Sequence, residues 1–140
     1  MSGLRWLSGE RRRWLWPVVI SLLIFSASSR SGVAGPRIPH FDKVVHFSVY
    51  GLLGTLVYRA MPGRGAAWWA LLAVSAYGAT DELHQYFVPG RSAEIADLIA
   101  DTAGAGLAIL LFRRWPRYRE LLETPLGRRP PSDQPRPPAA

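Results

Sequence analysis

Three stretches of the chain gather side chains that can do chemistry: Asp42-Lys43-x-x-His46, Asp81-Glu82-x-His84-Gln85, and the run from Arg91 through Glu94 and Asp97 to Asp101. Carboxylates beside histidines can activate water by acid–base catalysis or hold a divalent ion. The planar fork of Arg91 suits a phosphate or a carboxylate. The chain has no cysteine, which excludes thiol catalysis, disulfides and cysteine-ligated metals. The acids and histidines match no nucleophile motif and no metal-ligand signature. No catalytic residue, metal ligand or cofactor is therefore assigned, and the spacing leaves open whether the chain is an enzyme. Asp42 has an ordinary alternative role, because an acid in the first turn of a helix is favoured by the helix dipole. For Asp81 and Glu82 the ordinary alternative is an ion-pair network with Lys43 and Arg91.

The spacings place these residues on helices. Asp42, His46 and Tyr50 repeat at i, i+4 and i+8; Asp81, His84 and Gln85 at i, i+3 and i+4; Glu94, Asp97 and Asp101 at i, i+3 and i+7. Each triplet makes one stripe on its helix. Glu82 lies about 100° round from Asp81, so the two neighbours need not share a role.

The helices that carry these stripes must be apolar ones. The chain has 140 residues, enough for one domain, and 49% of them are hydrophobic. That content is segregated into four blocks, near 14–29, 42–58, 66–87 and 93–112. The runs Trp14–Phe25, Val49–Val57, Ala66–Ala79 and Ala103–Phe112 are apolar or small all round, whereas a helix of a soluble bundle keeps one polar face. The expected fold is all-α: an integral membrane bundle of four transmembrane helices over residues 14–112. Residues 1–13 form a basic segment, and residues 113–140, rich in Arg and Pro, form a mostly disordered tail. Pro17 sits near the start of the first block, where proline is tolerated. That block, with its basic flank and small residues at 26–29, also has the outline of a cleavable signal peptide; a retained helix is the main expectation. The net charge of +7 lies largely on arginines that flank the blocks, which favours a lipid bilayer over nucleic acid as partner.

Charge also sets an orientation, because Arg and Lys collect at cytoplasmic ends. Arg5 and Arg11, Arg12 and Arg13 precede the first block, Arg59 and Arg64 follow the second, and Arg113, Arg114, Arg117 and Arg119 follow the fourth. Both termini should then be cytoplasmic, in a multi-pass protein of the inner (plasma) membrane. Trp14, Trp16, Trp68, Trp69 and Trp115 fall on the same inner side, as interfacial anchors do. Asp42, Lys43, His46, Asp81, Glu82, Gln85, Arg91, Asp97 and Asp101 fall on the outer side and form the expected ligand-binding cluster. Asp101 lies roughly 9 Å further along its helix than Ile95. A charge deep in a span costs ~2.5–3.5 kcal/mol on insertion scales unless paired, hydrated or neutralised, so these side chains should face the bundle interior. Gly104 and Gly106, with Ala103, Ala105 and Ala108, should supply close helix contact below them.

The same residues carry a resemblance. The order Asp42-Lys43-x-x-His46, Asp81-Glu82-x-x-Gln85, Pro89-Gly90-Arg91, then Asp97 and Asp101-Thr-x-Gly104 resembles the VanZ-like family, over roughly Ser26 to Leu111. That family is named for an accessory protein linked to resistance to the glycopeptide teicoplanin. The resemblance implies a multi-pass membrane protein of the bacterial cell envelope and supplies no mechanism. One position departs: many relatives carry Asn before Thr-x-Gly, where this chain has Asp101. The leading expectation is a protein that binds an envelope component, such as a lipid-linked intermediate or a glycopeptide, at the outward acidic site. The alternatives are a membrane-embedded metal- or acid/base-dependent hydrolase or transferase, and a small proton or ion transporter.

Overall fold

The computed structural model describes residues 3–31 and 41–123, and among these every regular element is a helix. Five helices follow in order: α1 Gly3–Ser28, α2 Phe41–Ala60, α3 Ala66–Tyr86, α4 Ile95–Arg114 and the short α5 Pro116–Glu123. α1 starts well before the apolar block, because nothing between Gly3 and Trp14 breaks a helix more strongly than a single Gly. Pro17 consequently lies mid-helix rather than in a first turn, where it removes one bond from the backbone ladder.

The other boundaries have local causes. α2 opens with Asp42 in its first turn and closes with Arg59 in its last, each favourable to the helix dipole. The turn before α3 holds two glycines with left-handed backbone, Gly63 and Gly65. The turn between α3 and α4 places Gly90 at φ 80°, after Pro89. α4 carries Asp97 in its first turn and Arg113 and Arg114 in its last. Trp115 breaks the chain into extended backbone, and Pro116 then starts α5 at the position where proline fits best. α5 falls in the segment expected to be a disordered tail; the rest of that tail, 124–140, lies outside the described residues.

α2 and α4 form the closest pair, with α3 packed on both and α1 laid mainly along α2. The core joins Ile24 of α1, Tyr50, Leu53 and Val57 of α2, Ala70 and Val74 of α3, and Ala105 and Ile109 of α4. Small residues set the α2–α4 distance. A Cβ on Gly104 would collide with the carbonyl oxygen of Phe47, and one on Gly54 would lie 2.9 Å from Ala105 Cα. Backbones this close bring the two halves of the polar site within side-chain reach. Gly106, expected to share that face, instead lies nearest Leu71 of α3.

The outside of the bundle is apolar. Leu22 and Phe25 of α1, Val44 and Leu52 of α2, Trp68 and Leu72 of α3, and Ile99 and Leu107 of α4 are all exposed. By length and composition one described helix, α4, is long and apolar enough to cross a membrane. The basic start of α1, Asp42, Lys43 and His46 in α2, and the polar end of α3 reduce the apolar character of the other three.

Candidate functional site

The N-terminal half of α2, the C-terminal half of α3, the connector before α4 and the N-terminal half of α4 meet at one end of the bundle. Their polar groups are arranged in tiers. In the outermost, Lys43 Nζ lies 2.7 Å from each of Asp42 Oδ2, Glu94 Oε2 and Asp97 Oδ1. It donates hydrogen bonds to the first two; the third is an ion-pair contact without hydrogen-bond alignment. Asp97 is buried while Asp42 and Glu94 reach solvent, so one ammonium serves three acids of different depth. Its hydrogen bond holds the Glu94 carboxyl, in the connector, below the ordinary range.

The next tier is deeper. Asp101 is fully buried, and its Oδ1 lies 2.9 Å from His46 Nδ1. With a carboxylate as acceptor the ring proton is assigned to Nδ1, and a neutral ring then keeps a lone pair on Nε2. The His46 ring stacks parallel to Tyr50 at 6.1 Å between centroids. Asp101 Oδ2 has no hydrogen-bond partner among the described residues. It lies against Gly78, where a Cβ would come within 3.0 Å of it. Glu82, also buried, accepts the backbone N–H of Glu94 through Oε2 at 2.8 Å, which ties α3 to the start of α4.

Asp81 turns towards α1. Its Oδ2 accepts from Ser28 Oγ at 2.8 Å and from Gln85 Nε2 at 3.0 Å, and its Oδ1 is buried without a partner among the described residues. Gln85 Nε2 also lies 3.4 Å from Glu82 Oε1, and Gln85 Oε1 accepts from Arg91 Nη2 at 2.7 Å. Gln85 thus links the two acids of α3 to the one arginine of the connector. Among the described residues Arg91 makes no ion pair, so its charge is not matched by a carboxylate.

A cavity of about 670 Å³ adjoins the site. Ile20, Leu23, Ile24 and Ala27 of α1 and Val45, Val49 and Leu52 of α2 form its apolar walls. Ser28, Asp42, His46, Tyr50, Asp81 and Arg91 supply its polar lining. The chamber thus has one apolar and one polar part, and its polar part holds Arg91 beside the acids Asp42 and Asp81.

The residues singled out in the sequence divide by contact. Asp42, Lys43 and Asp97 meet in the outer tier; His46, Glu82 and Asp101 lie near one another below it; Asp81, Gln85 and Arg91 line up towards α1. Two expectations are corrected. The ion-pair network expected of Asp81 and Glu82 with Lys43 and Arg91 does not form among the described residues: Lys43 pairs instead with Asp42, Glu94 and Asp97, and Arg91 donates to Gln85. His84 leaves the stripe it shares with Asp81 and Gln85: its Nε2 lies 3.0 Å from Ser29 Oγ, and its ring stacks on Phe25. Ser28 and Ser29 carry no signal in the sequence beyond being small residues at the end of an apolar run. Glu94 belongs with the site, and its place in the Asp97–Asp101 stripe could have put it there.

Fold and site together define an all-α protein with a buried acid–histidine cluster at one end and a half-apolar cavity beside it. The model of the VanZ/LLP1 family matches residues 5–116, and the chain belongs to that family. An uncharacterized protein of Schizosaccharomyces pombe is 33% identical over 103 residues, which cover 71% of this chain and 63% of the relative. The chain therefore spans less than two thirds of that relative's length. No solved structure matches.

Proposed function

We propose that the chain is a multi-pass membrane protein that binds a lipid-linked phosphate at an outward-facing site. The observation that carries this reading is the cavity, with an apolar wall from α1 and α2 and the unpaired Arg91 at its polar part. The apolar part suits a hydrocarbon chain and the guanidinium suits a phosphate. In this reading α1 to α4 all span the bilayer, with both termini cytoplasmic. The exposed apolar side chains on all four helices support it, since a soluble monomer rarely leaves so continuous an apolar surface. So does α4, of whose apolar stretch only 33% is buried; the core helix of a soluble protein would be mostly buried. Trp14, Trp16, Trp68, Trp69 and Trp115 are all exposed, as inner-interface anchors should be. The yeast relative favours a ligand not confined to bacterial envelopes. A lipid phosphate fits that better than a glycopeptide, and any role in teicoplanin-type resistance would follow from the lipid.

The test is a titration of the protein in nanodiscs with a long-chain isoprenoid phosphate and with the matching alcohol. The phosphate should bind roughly 10–100-fold more tightly, the value of a charge-assisted hydrogen bond. Arg91→Gln should remove that preference while leaving binding of the alcohol unchanged. Equal affinity for the two lipids in the unmodified protein would sink the reading.

A second reading, hydrolysis of the bound phosphate, is favoured by the Asp101–His46 pair. A buried carboxylate on Nδ1 fixes the ring and leaves Nε2 to accept a proton, and His46 borders the cavity. Phosphate release from the lipid that is lost in His46→Gln supports it; no release by the unmodified protein retires it. An ion path has less support, since the core below the site is built of Leu53, Val57, Val74 and Ile109.

A further inference from the structure

The charges at the site do not balance. Among the described residues Lys43 contacts Asp42, Glu94 and Asp97, and Arg91 is held by Gln85. That leaves Asp81, Glu82 and Asp101, all buried on neighbouring helices, with no Lys or Arg in ion-pair contact. Among the described residues His46 is the one basic side chain paired with any of them. Burying carboxylates without a counter-charge costs several kcal/mol each, so the fold calls for a cation or for protons.

Geometry decides between these. His46 from α2, Glu82 from α3 and Asp101 from α4 each present one donor atom, and the three donors lie within 4.8 Å of one another. Three donors held ~2.1 Å from a shared ion stand at most about 3.6 Å from one another, so closure needs a shift of up to about 1 Å. Glu82, with the longest side chain, can supply it. Asp101 is fully buried, yet its Oδ2 has no partner among the described residues. A protonated, purely structural Asp101 would be expected to spend that hydrogen on a neighbour. The other acid trio, Asp42, Glu94 and Asp97, is as closely grouped but already surrounds the Lys43 ammonium.

We propose that His46, Glu82 and Asp101 bind a divalent cation beside the cavity. One imidazole and two carboxylates suit Mn²⁺ or Zn²⁺ better than Mg²⁺, which prefers oxygen alone. The site deepens the lipid-phosphate reading and rests on it for purpose: the cation and Arg91 would hold opposite sides of the phosphate. Its existence as a metal site does not depend on that reading.

The experiment uses the full chain in detergent, stripped with chelator and titrated with Mn²⁺ followed by electron paramagnetic resonance. Expected is saturable binding of one ion per chain, displaced by Zn²⁺ and not by equimolar Mg²⁺. Glu82→Gln should weaken it by more than the ~10–100-fold that outer-shell partners are worth. Arg64→Gln, in the exposed turn at the far end of the bundle, should leave it intact. Spin-echo modulation on the unmodified protein should report one imidazole nitrogen bound to Mn²⁺, and this measurement stands even if a variant fails to fold. Absence of stoichiometric binding, a spectrum without nitrogen coupling, or coupling that persists in folded His46→Gln overturns the proposal. The two readings fail separately. If Arg91-dependent preference for lipid phosphate survives in chelator and no ion binds, only the metal site falls. If Mn²⁺ binds but phosphate and alcohol bind alike, only the ligand is wrong.

Discussion

At the scale of single residues, Lys43 has the clearest consequence. It is the only lysine in the chain, and its ammonium touches three carboxylates at 2.7 Å. The contacts with exposed Asp42 and Glu94 are worth little, at most about 1 kcal/mol each. The contact with buried Asp97 is the costly one to break, because a buried acid left alone is worth roughly 3 kcal/mol of destabilisation. Lys43→Met should therefore lower the thermal midpoint in detergent by an amount equivalent to about 3 kcal/mol, and Asp97→Asn in the same background should recover most of it. Equal losses in Lys43→Met and the double variant would show that Asp97 is not the partner that matters. The Glu94 contact adds a pH dependence of known sign. Its carboxyl is held below the ordinary value in the fold, so its contribution is full above the unfolded value and fades as pH falls through the folded one. Acidification should loosen the connector before it affects the core, which hydrogen exchange of the Phe87–Glu94 amides can follow. These partnerships were only half legible in the sequence. Spacing put Asp42, His46 and Tyr50 on one stripe and Asp97 with Asp101 on another. It gave no means of pairing Lys43 with Glu94 or His46 with Asp101, which are 51 and 55 residues apart.

At the scale of elements, the site depends on how closely α2 and α4 approach. Gly104 packs directly on the backbone of Phe47, one residue from His46. Gly104→Ala would force the helices apart by about a methyl radius and pull Asp101 from His46; overpacking of this kind costs ~1–3 kcal/mol or more. Gly106→Ala should be neutral or stabilising by up to about 1 kcal/mol, since its nearest neighbour lies 3.7 Å away and alanine is the better helix former. Melting curves for the two variants check this; similar losses in both would mean the α2–α4 contact does not set the fold. The run of small residues in α4 marked a packing face in the sequence, but not which glycine did the packing, because that depends on the rotation of α4 against two partners. The apolar blocks placed the middle of each helix. They were weaker on its ends: α1 reaches back to Gly3 through a segment whose Arg and Glu residues interrupt the apolar run without breaking a helix.

At the scale of the whole molecule, the proposed direction across the membrane rests on the layering of charge. The arginine-rich turns and the exposed tryptophans fall at one end of the bundle, and the acid–histidine site falls at the other. In the proposed orientation the connector carrying Ser92 is outside and the turn carrying Arg64 is inside. The natural chain has no cysteine, so single cysteines report position without background. Ser92→Cys should react with a membrane-impermeant maleimide in intact cells, and Arg64→Cys only after permeabilisation. Ser92 is exposed and outside the Lys43 contacts, and Arg64 is exposed in a turn, so neither change should disturb the fold. An epitope placed before α1 should stay on the mature protein, because α1 contributes Ser28 to Asp81, Ser21 to Tyr77 and one wall of the cavity. Removal of α1 would open the cavity to lipid and strip Asp81 of one of its two donors. Labelling in the opposite sense would put the site on the cytoplasmic side and leave the lipid phosphate to be sought there. Loss of the epitope with the binding site intact would mean instead that α2, α3 and α4 hold the ligand without α1.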